Sequence, residues 1–224
     1  GYQDARHFLN GLFLQFTDNK IISVATDGHR LAYSCTHCES DTSDSSCIIP
    51  RKCVLEIRRI LSSFKDFSQI ISSISVNNMN LLVKIGNYTI ISKLIEGNYP
   101  DYSKVFPQNL SNLLTIDRPS LKASLQRLAI MSSDQYKGVK LTLSKDLLNL
   151  STINSQNESG DESLECQYSG DSLEIGFNLS YLIETLDVIE TPNIAIHLGS
   201  SDSGCLVTAE NNESSKYIIM PMRV

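Results

Sequence analysis

Apolar residues recur at helical spacing in only three stretches of this chain and form short runs almost everywhere else. Val54, Ile57, Ile60 and Leu61 make one stripe, after the turn residues Pro50-Arg51-Lys52. Leu121, Leu125, Leu128 and Ala129 make the second, with Asp117 and Pro119 as start signals. Leu179, Leu182, Ile183, Leu186 and Ile189 make the third, capped by Asn178 and stopped by Thr191-Pro192. Strands are predicted over 12–16, 21–25, 31–34, 81–85, 88–94, 139–143, 147–152, 173–177, 194–198, 205–209 and 217–220, runs rich in Val, Ile, Leu and Tyr. Turns are expected at Thr17–Lys20, Asp27-Gly28, Gly86-Asn87 and Ser200–Gly204. Few helices among many short strands predict an α+β fold with antiparallel sheets.

The three helices share a frame. Ile48-Ile49-Pro50, Leu114-Thr115-Ile116-Asp117 and Ile175-Gly176-Phe177-Asn178 each end a strand and run straight into a helix, at junctions about 61–67 residues apart. A strand–helix–strands unit repeated at that period predicts duplication. Residues 1–47 carry the trailing strands of such a unit without its helix, and the chain begins at Gly1 without an initiating Met. It is therefore expected to be a processed or truncated piece of a longer protein.

Composition narrows the class. With 224 residues, 41% apolar, 20% charged, 11 Gly and 6 Pro, the chain is neither collagen-like nor low-complexity. At this length a compact fold buries about 70% of its unfolded surface, enough for a core without staples. No run approaches the 18 or more apolar residues of a membrane span, and no basic-then-apolar leader is present. A soluble cytoplasmic protein is expected, with its six cysteines reduced. The net charge of −6 excludes coating of nucleic acid by bulk basicity but leaves room for a local basic strip.

Candidate chemistry is sparse. Cys35-Thr36-His37-Cys38, with Cys47 and Cys53 downstream, has part of a zinc-site spacing. The second pair is spread over six positions and Cys53 falls on a predicted helix, so a structural zinc is the minority reading. Asp161, Glu162 and Glu165 lie in a Ser- and Asn-rich stretch that reads as a solvated loop. No Gly-x-Ser-x-Gly elbow, phosphate-binding glycine loop or His-Glu-x-x-His occurs. No catalytic, cofactor or metal residues are assigned. The first helix carries Arg51, Lys52, Arg58 and Arg59 against Glu56, and the second adds Lys122 and Arg127; the third is acidic, with Glu184, Asp187 and Glu190. The C-terminal Met220-Pro221-Met222-Arg223-Val224 is either tucked into a core or part of a binding surface.

A more specific pattern lies at Ala25-Thr26-Asp27-Gly28-His29-Arg30-Leu31-Ala32. Together with Ile49-Pro50-Arg51-Lys52, Ser92-Lys93-Leu94, Tyr99-Pro100-Asp101-Tyr102, Gly176-Phe177-Asn178 and Met220-Pro221-Met222-Arg223, it closely resembles the beta subunit of bacterial DNA polymerase III, the sliding-clamp family. The motifs stand in the family's order from residue 3 to the end. They match the last two of its three domains, with the front of the middle domain absent. The resemblance implies the DNA-clamp fold, repeated strand–helix–strands units with sheets outside and helices lining a pore. It divides the chain into a middle domain at 1–105 and a C-terminal domain at 106–224.

The function implied is that of a non-catalytic processivity factor, cytoplasmic and nucleoid-associated. Its whole form closes as a homodimeric ring around duplex DNA without sequence specificity, and it docks the replicative polymerase, the clamp loader and other proteins carrying a short clamp-binding peptide. That peptide type has a Gln and a Leu-x-Leu-Phe-like apolar end. The family's peptide pocket, at the junction of its last two domains, carries over onto three stretches. The first holds Leu9, Thr26, Gly28, His29, Arg30 and Leu31; the second holds Pro100, Lys104 and Val105, with Lys104 where the family commonly has Arg. The third holds Ile218, Met220, Pro221, Met222 and Arg223, with Tyr181 nearby. DNA-side positions are Gln3, Arg6, His7 and Phe8, the last two where the family often has Tyr, and Lys52 and Arg59 on a pore helix. Ile130 and Met131 match an apolar pair at the ring interface. Without the first domain the chain is expected to stay monomeric, with that pair exposed, and to hold DNA weakly. The rival readings are a metal-dependent hydrolase built on the Cys35–Cys53 cluster and a repeat-built interaction protein that does not bind DNA.

Overall fold

The computed structural model describes residues 4–38, 44–66, 72–132 and 137–223. It divides into two compact units, one of residues 1–27 and 33–101, the other of residues 28–32 and 102–224.

In the first unit a short 3-10 turn, His7–Asn10, leads into β1 (Gly11–Thr17), β2 (Lys20–Thr26), β3 (Arg30–His37, of which residues 30–32 belong to the second unit) and β4 (Ser45–Pro50). These strands are bonded in the order β4-β1-β2-β3. The β1–β2 hairpin turns on Asp18 and Asn19, at φ +47° and +57°, the left-handed pair that matches strand twist in a two-residue loop. Helix α1 (Arg51–Leu61) follows β4 directly, and β5 (Ser72–Val76), β6 (Asn80–Ile85) and β7 (Tyr88–Lys93) form a second sheet. Leu14 pairs with Cys47 and Leu12 with Ile49, so the period-two faces of β1 and β4 meet the buried Cys53 and Ile60 of α1 and Leu81, Val83 and Ile85 of β6.

In the second unit β8 (Asn112–Asp117) enters α2 (Arg118–Met131), and β9 (Gly138–Ser144), β10 (Leu147–Ile153) and β11 (Ser159–Glu165) follow. Next come β12 (Gln167–Tyr168), β13 (Leu173–Asn178), α3 (Leu179–Val188), β14 (Asn193–Leu198), β15 (Cys205–Ala209) and β16 (Asn212–Ile219). One layer runs β12-β8-β14-β15-β16 and the other β11-β10-β9-β13. Asp117 and Asn178 cap their helices by accepting from Ser120 N, and from Ser180 N and Tyr181 N, respectively. Leu121, Leu125 and Leu128 of α2 and Leu182 and Leu186 of α3 share one core with both sheets. Arg118 donates to the carbonyls of Leu186 and Thr191, satisfying the C-terminal end of α3 from the first turn of α2.

Three features depart from the sequence reading. Residues 159–165 are a strand, not a solvated loop: β11 pairs with β10 from Ser159↔Ile153 to Glu165↔Leu147. As the edge of its layer it needs few apolar residues, because its inner positions sit beneath α2; a Cβ on Gly160 would meet Leu128 at 3.0 Å. Helix α3 ends at Val188, ahead of Ile189, Glu190 and the Thr191-Pro192 stop. The last strand starts at Asn212 and ends at Ile219, leaving Met220 beyond it. The short strands β5 and β12 carried no signal that set them apart from turn sequence.

Candidate functional site

Gly28–Ala32, the second part of the segment that best carries the family pattern, belongs to the second unit. Gly28 turns the chain at φ +89°, a left-handed geometry suited to glycine. Just after it, the His29 carbonyl accepts the backbone N–H of Met220 at 2.9 Å. Two residues on, Met222 N donates to the Gly176 carbonyl at 2.9 Å. These two bonds strap the C-terminal residues across the ends of β3 and β13. In the same unit Leu31 and Ile218 are buried, while Met220 is 40% exposed and Val105 39%. A Cβ on Gly204 would lie 3.1 Å from the Met220 sulfur, so the bare glycine seats that side chain. The tail is thus both anchored and partly exposed: its backbone is tied down, and Met220 rests on Gly204 with part of its surface open.

Arg30 stands beside it. Its guanidinium carbon lies 4.2 Å from the centre of the Tyr181 ring, and Nη1 meets Glu184 Oε2 at 2.7 Å. Tyr181 and Glu184 are three residues apart on α3 and therefore on one face. Pro221 and Met222 are half-buried, and His29, Lys104 and Arg223 are exposed. Of the expected pocket residues, the second unit contains Gly28, His29, Arg30, Leu31, Lys104, Val105, Tyr181, Ile218, Met220, Pro221, Met222 and Arg223.

Leu9, Thr26 and Pro100 belong to the first unit. Leu9 is 2% exposed, a core side chain, and Thr26 is half-buried at the end of β2. Pro100 is exposed and follows Tyr99, whose ring stacks on Phe13 at 4.8 Å and whose hydroxyl donates to Val24 O at 3.4 Å. Burial pushes the Tyr99 hydroxyl up to about 12, which keeps it protonated as that donor.

The DNA-side residues also divide. Gln3 lies outside the described residues. Arg6 forks onto Asp4, with Nε and Nη2 at 3.0 and 2.8 Å from its oxygens, and Nη2 also reaches the Asp27 carbonyl at 3.3 Å. Hydrogen bonds from the Arg6 side chain and backbone hold the Asp4 carboxyl well below the usual range. His7 is exposed, and Phe8 is half-buried near Gly97. On α1, Lys52 is exposed without an ion-pair partner among the described residues, whereas Arg59 pairs with Glu56 at 2.6 Å. At the end of α2, Ile130 is 80% exposed and Met131 40%.

The cysteines do not assemble. Cys47 faces the first unit's core from β4, and Cys53 lies in the buried stripe of α1. Burial pushes the Cys47 thiol up to about 11. Cys35 and Cys38 are half-buried in and just after β3. Among the described residues no three His, Cys, Asp or Glu side chains converge as metal ligands. No helix of the described residues is long and apolar enough to cross a membrane.

Sequence reasoning missed Glu184, Gly204 and the Gly176 carbonyl. The spacing of Glu184 from Tyr181 was a usable signal; the other two become visible only once the tail is in place.

Comparisons with known proteins agree with these motifs. The profile of the DNA polymerase III beta subunit, central domain, matches residues 1–101, and that of its C-terminal domain matches residues 103–223. The Beta sliding clamp of Pseudomonas aeruginosa is 37% identical over 223 residues, covering 99% of this chain, and that of Escherichia coli K12 is 33% identical. A crystal structure of the P. aeruginosa beta subunit superposes with a TM-score of 0.95 at 36% identity over the whole chain, and another, bound to griselimycin, with 0.94. The chain spans about 60% of the length of these relatives. With both domain profiles and the fold in agreement, the chain belongs to the DNA polymerase III beta subunit family.

Proposed function

We propose that this chain is the docking and DNA-facing part of a sliding clamp, a non-catalytic processivity factor for a replicative DNA polymerase. Two copies of the whole protein close a ring on duplex DNA, with clamp domains at residues 1–105 and 106–224. Ile130 and Met131 contribute to the ring contact. Gln3, Arg6, His7, Phe8, Lys52 and Arg59 face the phosphates. The polymerase, the clamp loader and other partners dock by a short apolar peptide, in the cytoplasm at the nucleoid. Leu9, Thr26 and Pro100, which lie in the first unit, match peptide-binding positions of the family.

The observation that supports this best is the strapped tail. Met220 is fixed through its backbone to His29 and remains 40% exposed, in a unit where Leu31 and Ile218 are buried. That is an adaptable apolar surface with an ordered frame, suited to an apolar peptide end. Burying one Leu or Phe of a peptide there gains about 1.5–3 kcal/mol. A ring trapped on DNA by its topology needs no tight phosphate contact, consistent with a net charge of −6 and locally basic helices.

Calorimetry with the peptide Gln-Leu-Ser-Leu-Phe tests the reading. The 224-residue chain is expected to bind in the micromolar range, and a chain lacking Met220–Val224 not at all. Lys104→Ala, at an exposed position, is expected to cost less than the deletion. Equal binding by chain and deletion, with the deletion still folded by circular dichroism, places docking elsewhere.

A further inference from the structure

We infer that Glu184 is a positioning residue for peptide docking, acting through Arg30; this rests on the function proposed above. Arg30 lies in a two-point clamp. The Tyr181 ring, 4.2 Å from the guanidinium carbon, restrains the plane of the group, and the Glu184 carboxylate, 2.7 Å from Nη1, restrains its rotation within that plane. Both restraints come from one helix face, three residues apart, so α3 fixes them relative to each other. The backbone of Arg30 is fixed as well: it opens β3 and follows His29, whose carbonyl holds Met220.

An arginine side chain has many rotamers to lose when a ligand arrives. Here that ordering is supplied within the unit before docking. Arg30 is only partly exposed, with 31% of its side chain accessible, and Glu184 is more open at 59%. An open carboxylate paired with an arginine ordinarily contributes little to stability. Its value at this place is orientation. Glu184 holds the guanidinium over Tyr181, next to the tail that carries Met220. It also offsets the charge of Arg30 itself, so the guanidinium is held in place before a peptide arrives.

The test is a double-mutant cycle in the 224-residue chain, with Gln-Leu-Ser-Leu-Phe titrated by calorimetry into wild type, Glu184→Ala, Arg30→Ala and the double variant. Glu184→Ala is expected to weaken binding about three- to tenfold, with Glu184→Gln between it and wild type. In the Arg30→Ala background the same change should have no further effect. Raising NaCl to 0.5 M, where screening extends over only a few ångströms, should bring wild type toward Glu184→Ala. Thermal melts identify any variant that has lost the fold, and Glu184→Gln then carries the comparison. Wild-type affinity in Glu184→Ala overturns the inference, as does an equal loss with and without Arg30. Failure of the wild-type chain to bind the peptide overturns the docking reading itself, and this inference with it.

Discussion

Helix α1 and the α2–α3 pair start from the same frame, a strand running straight into a helix, yet their charges end in different states. On α2, Lys122 meets Asp187 of α3 at 2.7 Å, and Arg127 meets Glu162 of β11 at 2.6 Å. Arg118 is spent on the carbonyls at the end of α3. On α1 the one internal pair is Glu56–Arg59, and Lys52 and Arg58 are exposed without an ion-pair partner among the described residues. The caps differ too: Asp117 and Asn178 accept backbone N–H groups, while Pro50 offers no side-chain cap. The lesson is that counting Lys and Arg along a helix overstates its reach toward an anion. On α2 the charges are engaged by α3 and by β11, whereas Lys52 and Arg58 of α1 have no ion-pair partner among the described residues.

The largest break in this comparison comes from the shared core. Leu125 of α2 is fully buried between α3 and both sheets, so Leu125→Ala should cost about 2–5 kcal/mol in urea unfolding. Ile60→Ala on α1, in the smaller core, belongs in the same range but lower. A cost below about 1 kcal/mol at Leu125 would show that the α2–α3 core collapses to fill the cavity, and would remove the packing half of the contrast.

The charge half is tested on DNA. Lys52→Ala with Arg58→Ala should lower the slope of log affinity against log salt for a short duplex by about 2, near 0.9 per lost phosphate contact. Lys122→Ala with Arg127→Ala should leave that slope nearly unchanged, because those charges are already engaged. Equal slope changes in the two pairs would mean that the internal ion pairs open on DNA.

How much of this was legible follows from what each signal depends on. All three helices and their entries were readable because Asp117, Asn178 and the Leu and Ile stripes are local signals. Strand β11 was not, because its stability lies in pairing to β10 and in cover from α2, neither of which leaves apolar residues on an edge. The spacing of the cysteines did not reveal their burial, since the alternation of β4 turned Cys47 into the first unit's core. At the candidate site the tail and the Gly28–Leu31 segment were found from family motifs, not from periodicity. Glu184 escaped because one acid among several on a helix reads as solvated until its partner, 154 positions earlier, is placed beside it.

The caps give a smaller effect. Asp117→Ala and Asn178→Ala each leave helix N–H groups without an acceptor and should lower stability by about 1 kcal/mol in thermal or urea unfolding. Substituting Pro50 removes no such acceptor from α1. A cost at Pro50→Ala matching that at Asp117 would show that restricted backbone freedom at α1 is worth as much as a cap.

The smallest effect separates two carboxylates of the same type. Glu162 accepts from Arg127 Nε at 2.6 Å and Nη2 at 2.8 Å, and from Ser124 Oγ at 3.2 Å. The Arg127 hydrogen bonds, then its charge and the Ser124 hydroxyl, hold its carboxyl below the ordinary 4.5 despite some desolvation. A carboxylate whose folded-state value is depressed adds stability above the unfolded value and loses it as pH falls through the folded one. The melting-temperature gap between wild type and Glu162→Gln should therefore be positive at neutral pH and shrink below about pH 4.5. Glu56 is depressed in the same direction by Arg59, but both groups lie exposed on one helix, so Glu56→Gln should open a smaller gap. Glu162 joins β11 to α2, whereas Glu56 joins a helix only to itself. A gap at Glu56 as large as at Glu162 would show that the inter-element pair adds nothing beyond a local one, and would leave packing alone to distinguish the two regions.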